Sequence, residues 1–118
     1  QGLFIVLERD GEIIATGAYK PFGEQTAEVK RIWTHPALRQ QGLAQRVMRE
    51  LESRAQVAGH RHIYLTTGFR QPEAVKLYLS LGYQPQFDIH RNREEYSVAP
   101  FDGRLRFTKE LARLSKTA

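Results

Sequence analysis

The sequence contains no cysteine. Disulfide bridges, thiolate metal sites and a cysteine nucleophile are therefore excluded. That usage fits an intracellular chain, and a cytoplasmic location is expected. No apolar run approaches the roughly 20 residues that a membrane-spanning helix needs, so no membrane partner is expected. The opening residues do not show the charged-then-apolar pattern of a secretory leader. The thirteen arginines are scattered, with no block of five or six like charges. Internal repeats and low-complexity linkers are also missing.

What is present is enough for one compact domain over residues 1–118. Hydrophobic residues make up 41% and charged residues 26%, so an ordinary core can form. The net charge of +5 and pI of about 9.8 favour an anionic ligand, either a phosphate-bearing cofactor or nucleic acid. The scattering of the arginines argues against nucleic acid.

Hydrophobic patterning places the elements. Leu3 to Leu7 and Ile13 to Tyr19 read as a hairpin around Asp10-Gly11. Ala27 to Thr34 reads as a third strand, stopped by Pro36. From Leu43, apolar residues recur at helical spacing through Ala58, and Gly59 marks the end. "HIYLTTG" is the next strand. "QPEAVKLYLSLG" is a short helix with Pro72 in its first turn and Gly82 as its stop. "YQPQFDI" and "RLRFTKEL" read as the last strands. The class is α/β, a mixed sheet with helices.

The segment Arg39-Gln40-Gln41-Gly42-Leu43-Ala44 lies where a strand hands over to a helix. The first N–H groups of a helix lack intrahelical partners and carry the positive end of its dipole. An anion is stabilised there. Gly42 tolerates unusual dihedrals and lets a ligand approach, Ala44 stays small, and Arg39 adds a forked cation. This is neither the G-x-G-x-x-G nor the G-x-x-x-x-G-K-[ST] pattern. By itself it reads equally well as an ordinary turn.

The context is more specific. "VKRIWTHPALRQQGLAQRVMRELESRAQVAGHRHIYLTT" resembles the acyl-CoA-binding core of the GNAT superfamily of N-acetyltransferases: a strand, a loop of the form [RQ]-x-x-G-x-[GA], a long amphipathic helix and another strand. "PEAVKLYLSLGYQP" resembles the family's following helix and strand. The two cover about residues 28 to 85.

The resemblance implies a mostly antiparallel GNAT-like sheet flanked by helices, with acetyl-CoA as co-substrate. It puts the pyrophosphate on Arg39, Gln40, Gln41, Gly42, Leu43 and Ala44. It puts the pantetheine arm along Ile32, Trp33 and Thr34, like an added strand. Gln71 stands where many members have an asparagine that touches the cofactor. The implied reaction is direct acetyl transfer to an amine of a small molecule or protein within a ternary complex. Glu28 matches a position that carries the base in several members, and a cross-strand ion pair is its alternative. Tyr78 matches the tyrosine that protonates the leaving thiolate, and core packing is its alternative. A non-catalytic acyl-CoA-binding module of a larger protein is the rival reading.

His60 and His62 form an H-x-H pair that alternation would put on one strand face, but no further ligands complete a metal site. None is expected. His35 lies near the loop, either at the surface or beside the coenzyme phosphates. Asp88, Glu94, Glu95 and Tyr96 fall in a polar stretch that reads as an exposed loop, or as a wall meeting a cationic amine. A typical family domain has one strand and one or two helices before the hairpin that opens this chain. The chain is therefore expected to be N-terminally incomplete. Homodimerisation stays open.

Overall fold

The computed structural model describes residues 2–112; Gln1, where the expected missing segment would join, lies outside them. The described chain divides into two compact units, residues 2–63 with 110–112, and residues 64–109.

The first unit is an antiparallel meander with one helix. Strands β1 (Leu3–Arg9), β2 (Glu12–Pro21) and β3 (Thr26–Thr34) pair in sequence order. Asp10 and Gly11 both have positive φ, +53° and +80°, as a two-residue hairpin turn requires. Helix α1 (Leu43–Val57) buries Leu43, Val47, Met48, Leu51 and Ala55, the stripe marked by the apolar spacing. Its end is closed by the Ala58 and Gly59 N–H groups, which reach the Arg54 and Gln56 carbonyls. Gly59 adopts φ +100°, a conformation that penalises any side chain.

Gly17 decides how close α1 comes to the strands. A Cβ there would lie 2.5 Å from Val47 Cγ1 and 2.9 Å from both Ile32 Cδ1 and Leu51 Cδ1. The absent side chain leaves the space that helix and strand side chains fill.

Strand β4 (His62–Gly68) matches "HIYLTTG" residue for residue. In the second unit the strand order is β4, β6 (Arg104–Glu110), β5 (Gln84–Pro85), with helix α2 spanning Pro72–Ser80. Its core is aromatic. Tyr78 meets Tyr83 and Phe107 edge-on at 5.8 and 5.5 Å, and Phe87 meets Phe107 and Tyr96 at 5.3 and 5.6 Å.

One expected strand is much shorter than its sequence suggests. "YQPQFDI" contributes only Gln84 and Pro85, paired with Thr108 and Phe107 of β6. Pro85 has no N–H to offer the ladder. Asp88 then accepts the His90 N–H through Oδ1 at 2.9 Å, a side-chain turn that ends extended structure. Two 3₁₀ segments, Pro36–Leu38 and Arg93–Ser97, were not anticipated from the pattern. Six strands, mostly antiparallel, and two α-helices make a mixed α/β chain of the expected class.

Candidate active site

The first unit contains Glu28, the β3 residues Ile32 to Thr34, and the turn from Arg39 to Ala44. The register of β2 against β3 breaks at their middle. Ala18 faces Lys30, yet Thr16 faces Trp33, so Arg31 and Ile32 together oppose Gly17. This is a β-bulge, which bends and re-aims a strand. Arg31 takes φ +60°, uncommon for a residue with a side chain. The Thr16 hydroxyl donates to its carbonyl at 3.0 Å and fixes it. Beyond the bulge, Trp33 is 43% exposed.

The turn into α1 is built in steps. His35 accepts the Ala37 N–H on Nδ1 at 3.1 Å, and its Nε2 lies 3.4 Å from the Glu12 carboxylate. Both ring nitrogens are therefore engaged in holding the turn. After the 3₁₀ segment, Arg39 is extended, Gln40 takes φ +65° and Gly42 takes φ +76°. A Cβ at Gly42 would meet nothing within 4 Å, so the left-handed backbone, and not crowding, calls for glycine. Arg39 to Gly42 are exposed, Leu43 is buried as the anchor, and Ala44 is half-buried.

The start of α1 is left open. Gly42 gives no side-chain cap, and no acidic residue stands in the first turn. The N–H groups of Leu43, Ala44 and Gln45 have no acceptor among the described residues, because the first backbone bond runs from Arg46 back to Gly42. Arg39 makes no ion pair among those residues.

Glu28 sits on β3 with its side chain 15% exposed, 4.0 Å from Lys20 across the strand pair and 3.8 Å from Lys30. The cross-strand pairing anticipated as its alternative role is thus present. Both separations exceed hydrogen-bond length, so the carboxylate lone pairs are not occupied by the lysines.

Gln71 and Tyr78 belong to the second unit. Gln71 precedes α2 without capping it, and its side-chain oxygen accepts the Thr67 hydroxyl at 2.6 Å. Thr67 escaped the sequence reading; its only signal was a hydroxyl four residues before the glutamine. Tyr78 is 6% exposed, with its ring in the aromatic core. The one sealed, unpartnered side-chain polar atom among the described residues is His60 Nδ1. Burial pushes the Tyr78 phenol up to about 12.

The remaining candidates disperse. His60 precedes β4 and meets Tyr19 edge-on at 5.6 Å, while His62 is exposed at the start of the strand. They do not share one strand face, as alternation had implied. No group of three metal-binding side chains occurs among the described residues. Tyr96 is buried, and its hydroxyl bonds the Asp88 backbone at 2.7 Å. Glu94 pairs with Arg70 and Glu95 with Arg91, each at 3.5 Å. These partners make the stretch a braced loop, with Glu94 and Glu95 each paired to an arginine at the surface.

The first unit is thus a meander with a bulged third strand, followed by a glycine-opened helix with bare N–H groups. The acetyltransferase (GNAT) family model matches residues 1–83, and the chain belongs to that family. Mouse N-acetyltransferase 8 is 31% identical over 86 residues, covering 69% of this chain and 38% of its own length. The chain thus spans well under half of that relative. A Klebsiella pneumoniae protein assigned as an acyl-CoA N-acyltransferase superposes with a TM-score of 0.79 at 25% identity, over 94% of this chain and 73% of its own. The ribosomal-protein-S18-alanine N-acetyltransferase of Escherichia coli has the same fold, with a TM-score of 0.72 at 17% identity over 99% of this chain and 74% of its own. No helix among the described residues is long and apolar enough to cross a membrane.

Proposed function

We infer that this chain binds acetyl-CoA and transfers its acetyl group directly to an amine of a small molecule or a protein. The observation that carries the reading is the unpartnered start of α1 beside the unpaired Arg39. Bare N–H groups, an open glycine backbone and a forked cation together suit a pyrophosphate. Arg39, Gln40, Gln41, Gly42, Leu43 and Ala44 hold it. The pantetheine arm follows Ile32, Trp33 and Thr34, past the point where the bulge re-aims β3. Gln71 adds a side-chain amide to the cofactor.

The chemistry assigned to the site is proton handling on both sides of one transfer. An ammonium is not a nucleophile, so the acceptor loses a proton before or during attack. Glu28, with its lone pairs open, takes that proton directly or through water. The carbonyl carbon of the thioester forms a bond to the amine nitrogen as its bond to sulfur breaks. A backbone N–H near Trp33 or Thr34 steadies the charge that builds on the thioester oxygen. The departing thiolate takes the Tyr78 proton, and the second proton that the amine nitrogen sheds as the amide forms returns to the phenol, directly or through water. Burial keeps this phenol protonated throughout the neutral range.

Release of free coenzyme A thiol from acetyl-CoA, followed over a panel of small amines and peptide amines, tests the function. Turnover with an amine supports it. Binding of coenzyme A without turnover on any amine would leave a non-catalytic binding module, and no binding at all would defeat both readings. Stabilisation against heat by coenzyme A is the companion measurement.

A further inference from the structure

We propose that Thr67 is a positioning residue that locks the Gln71 carboxamide with its NH₂ group turned outward, as a fixed donor for an acceptor oxygen of the acyl-CoA ligand. The proposal deepens the acyl-CoA reading and rests on it. Gln71 is exposed, and a long exposed side chain ordinarily samples many rotamers. Here it is not left to do so. Its Oε1 accepts a 2.6 Å bond from Thr67, the one polar residue that is buried among the described residues, at 8% exposure. The main chain holds it too, since the Gln71 N–H reaches the Gly68 carbonyl and the Gln71 carbonyl accepts from Val75.

The polarity of the bond has a chemical consequence. With Oε1 occupied by a donor, the two hydrogens on Nε2 are what the side chain presents, and they have no partner among the described residues. The pair therefore selects a ligand acceptor, such as an amide carbonyl or a phosphate oxygen, over a ligand donor.

The test is a double-mutant cycle on coenzyme A affinity, using wild type, Thr67→Val, Thr67→Ser, Gln71→Ala and Thr67→Val with Gln71→Ala. The side-chain NH₂ resonances of Gln71 are followed by NMR in the unliganded protein. Thr67→Val should weaken binding about fivefold, the effect of one neutral hydrogen bond, and Thr67→Ser should restore it. The double variant should bind no more weakly than Gln71→Ala alone. The Gln71 NH₂ signals should collapse toward free-amide positions in Thr67→Val, which a purely structural threonine would not cause. Wild-type affinity in Thr67→Val, strictly additive losses, or unmoved NH₂ signals each overturn the proposal while leaving the acyl-CoA reading standing. Wild-type protein that fails to bind coenzyme A overturns both. If Thr67→Val does not fold, Thr67→Ala carries the same arm.

Discussion

The Thr16 hydroxyl donates to the Arg31 carbonyl at 3.0 Å, at the point where β2 and β3 slip register. The bond holds Arg31 at φ +60°, in a region that disfavours side chains. Gly17, between Thr16 and Ala18, is the one residue that faces both Arg31 and Ile32. Its missing side chain also admits Val47 and Leu51 of α1. One short piece of β2 therefore sets both the bend of β3 and the seat of the helix that opens at Gly42.

Gly17→Ala should destabilise the protein by about 1–3 kcal/mol, the usual cost of overpacking a core. Urea denaturation read by circular dichroism measures it. Adding Val47→Ala should recover part of the loss, since Val47 Cγ1 is the nearest atom at 2.5 Å. Unchanged stability in Gly17→Ala would mean that the helix moves away at no cost.

The fold was legible wherever periodicity and punctuation agreed. Leu43 through Val57 and "HIYLTTG" appear where the apolar spacing placed them, and Gly59 and Gly82 take the positive φ expected of helix stops. "YQPQFDI" misled because its alternation suits a strand, whereas Pro85 and the Asp88 turn are local chemistry that ends pairing. The bulge at Arg31 was not legible at all. Nothing in "EVKRIWT" marks a left-handed residue; the signal lies across the sheet, in Thr16 and Gly17. Tyr96 read as a polar-loop residue because of its charged neighbours, yet its ring is core and only its hydroxyl is polar. Of the site, the turn at Arg39 to Gly42 was legible, while the Thr67 bond to Gln71 depends on a tertiary distance that spacing alone does not fix.

Arg39→Ala should raise the Michaelis constant for acetyl-CoA about tenfold, as loss of one charge-assisted phosphate contact does. Acetyl-pantetheine, which lacks the pyrophosphate, should be used equally well by both forms. The wild-type constant should also climb with ionic strength more steeply than that of the variant. Equal losses on the two acyl donors would move Arg39 away from the pyrophosphate.

Glu28→Gln should lower kcat by roughly a hundredfold or more, within the range for general-base catalysis, with coenzyme A affinity held. Rates measured across pH on an amine of known basicity make the check. A variant with the wild-type rate at every pH would reduce Glu28 to the partner of Lys20 and Lys30 seen in the structure.

Tyr78→Phe separates two consequences of one buried phenol. Its proton is held to about pH 12, against an ordinary value of 10.0. Below pH 10 the folded and unfolded chains both carry it, and ionisation costs nothing. Between pH 10 and 12 the unfolded chain releases the proton while the folded chain keeps it, so stability falls as pH rises. A difference of about two units corresponds to roughly 3 kcal/mol. Denaturation at pH 9 and pH 11.5 should show a loss in wild type that Tyr78→Phe lacks. In the same variant kcat should fall when thiolate departure limits the rate, because phenylalanine keeps the ring contacts with Tyr83 and Phe107 but has no proton to give. A flattened stability profile with unchanged kcat under chemistry-limited conditions would assign Tyr78 to the core alone.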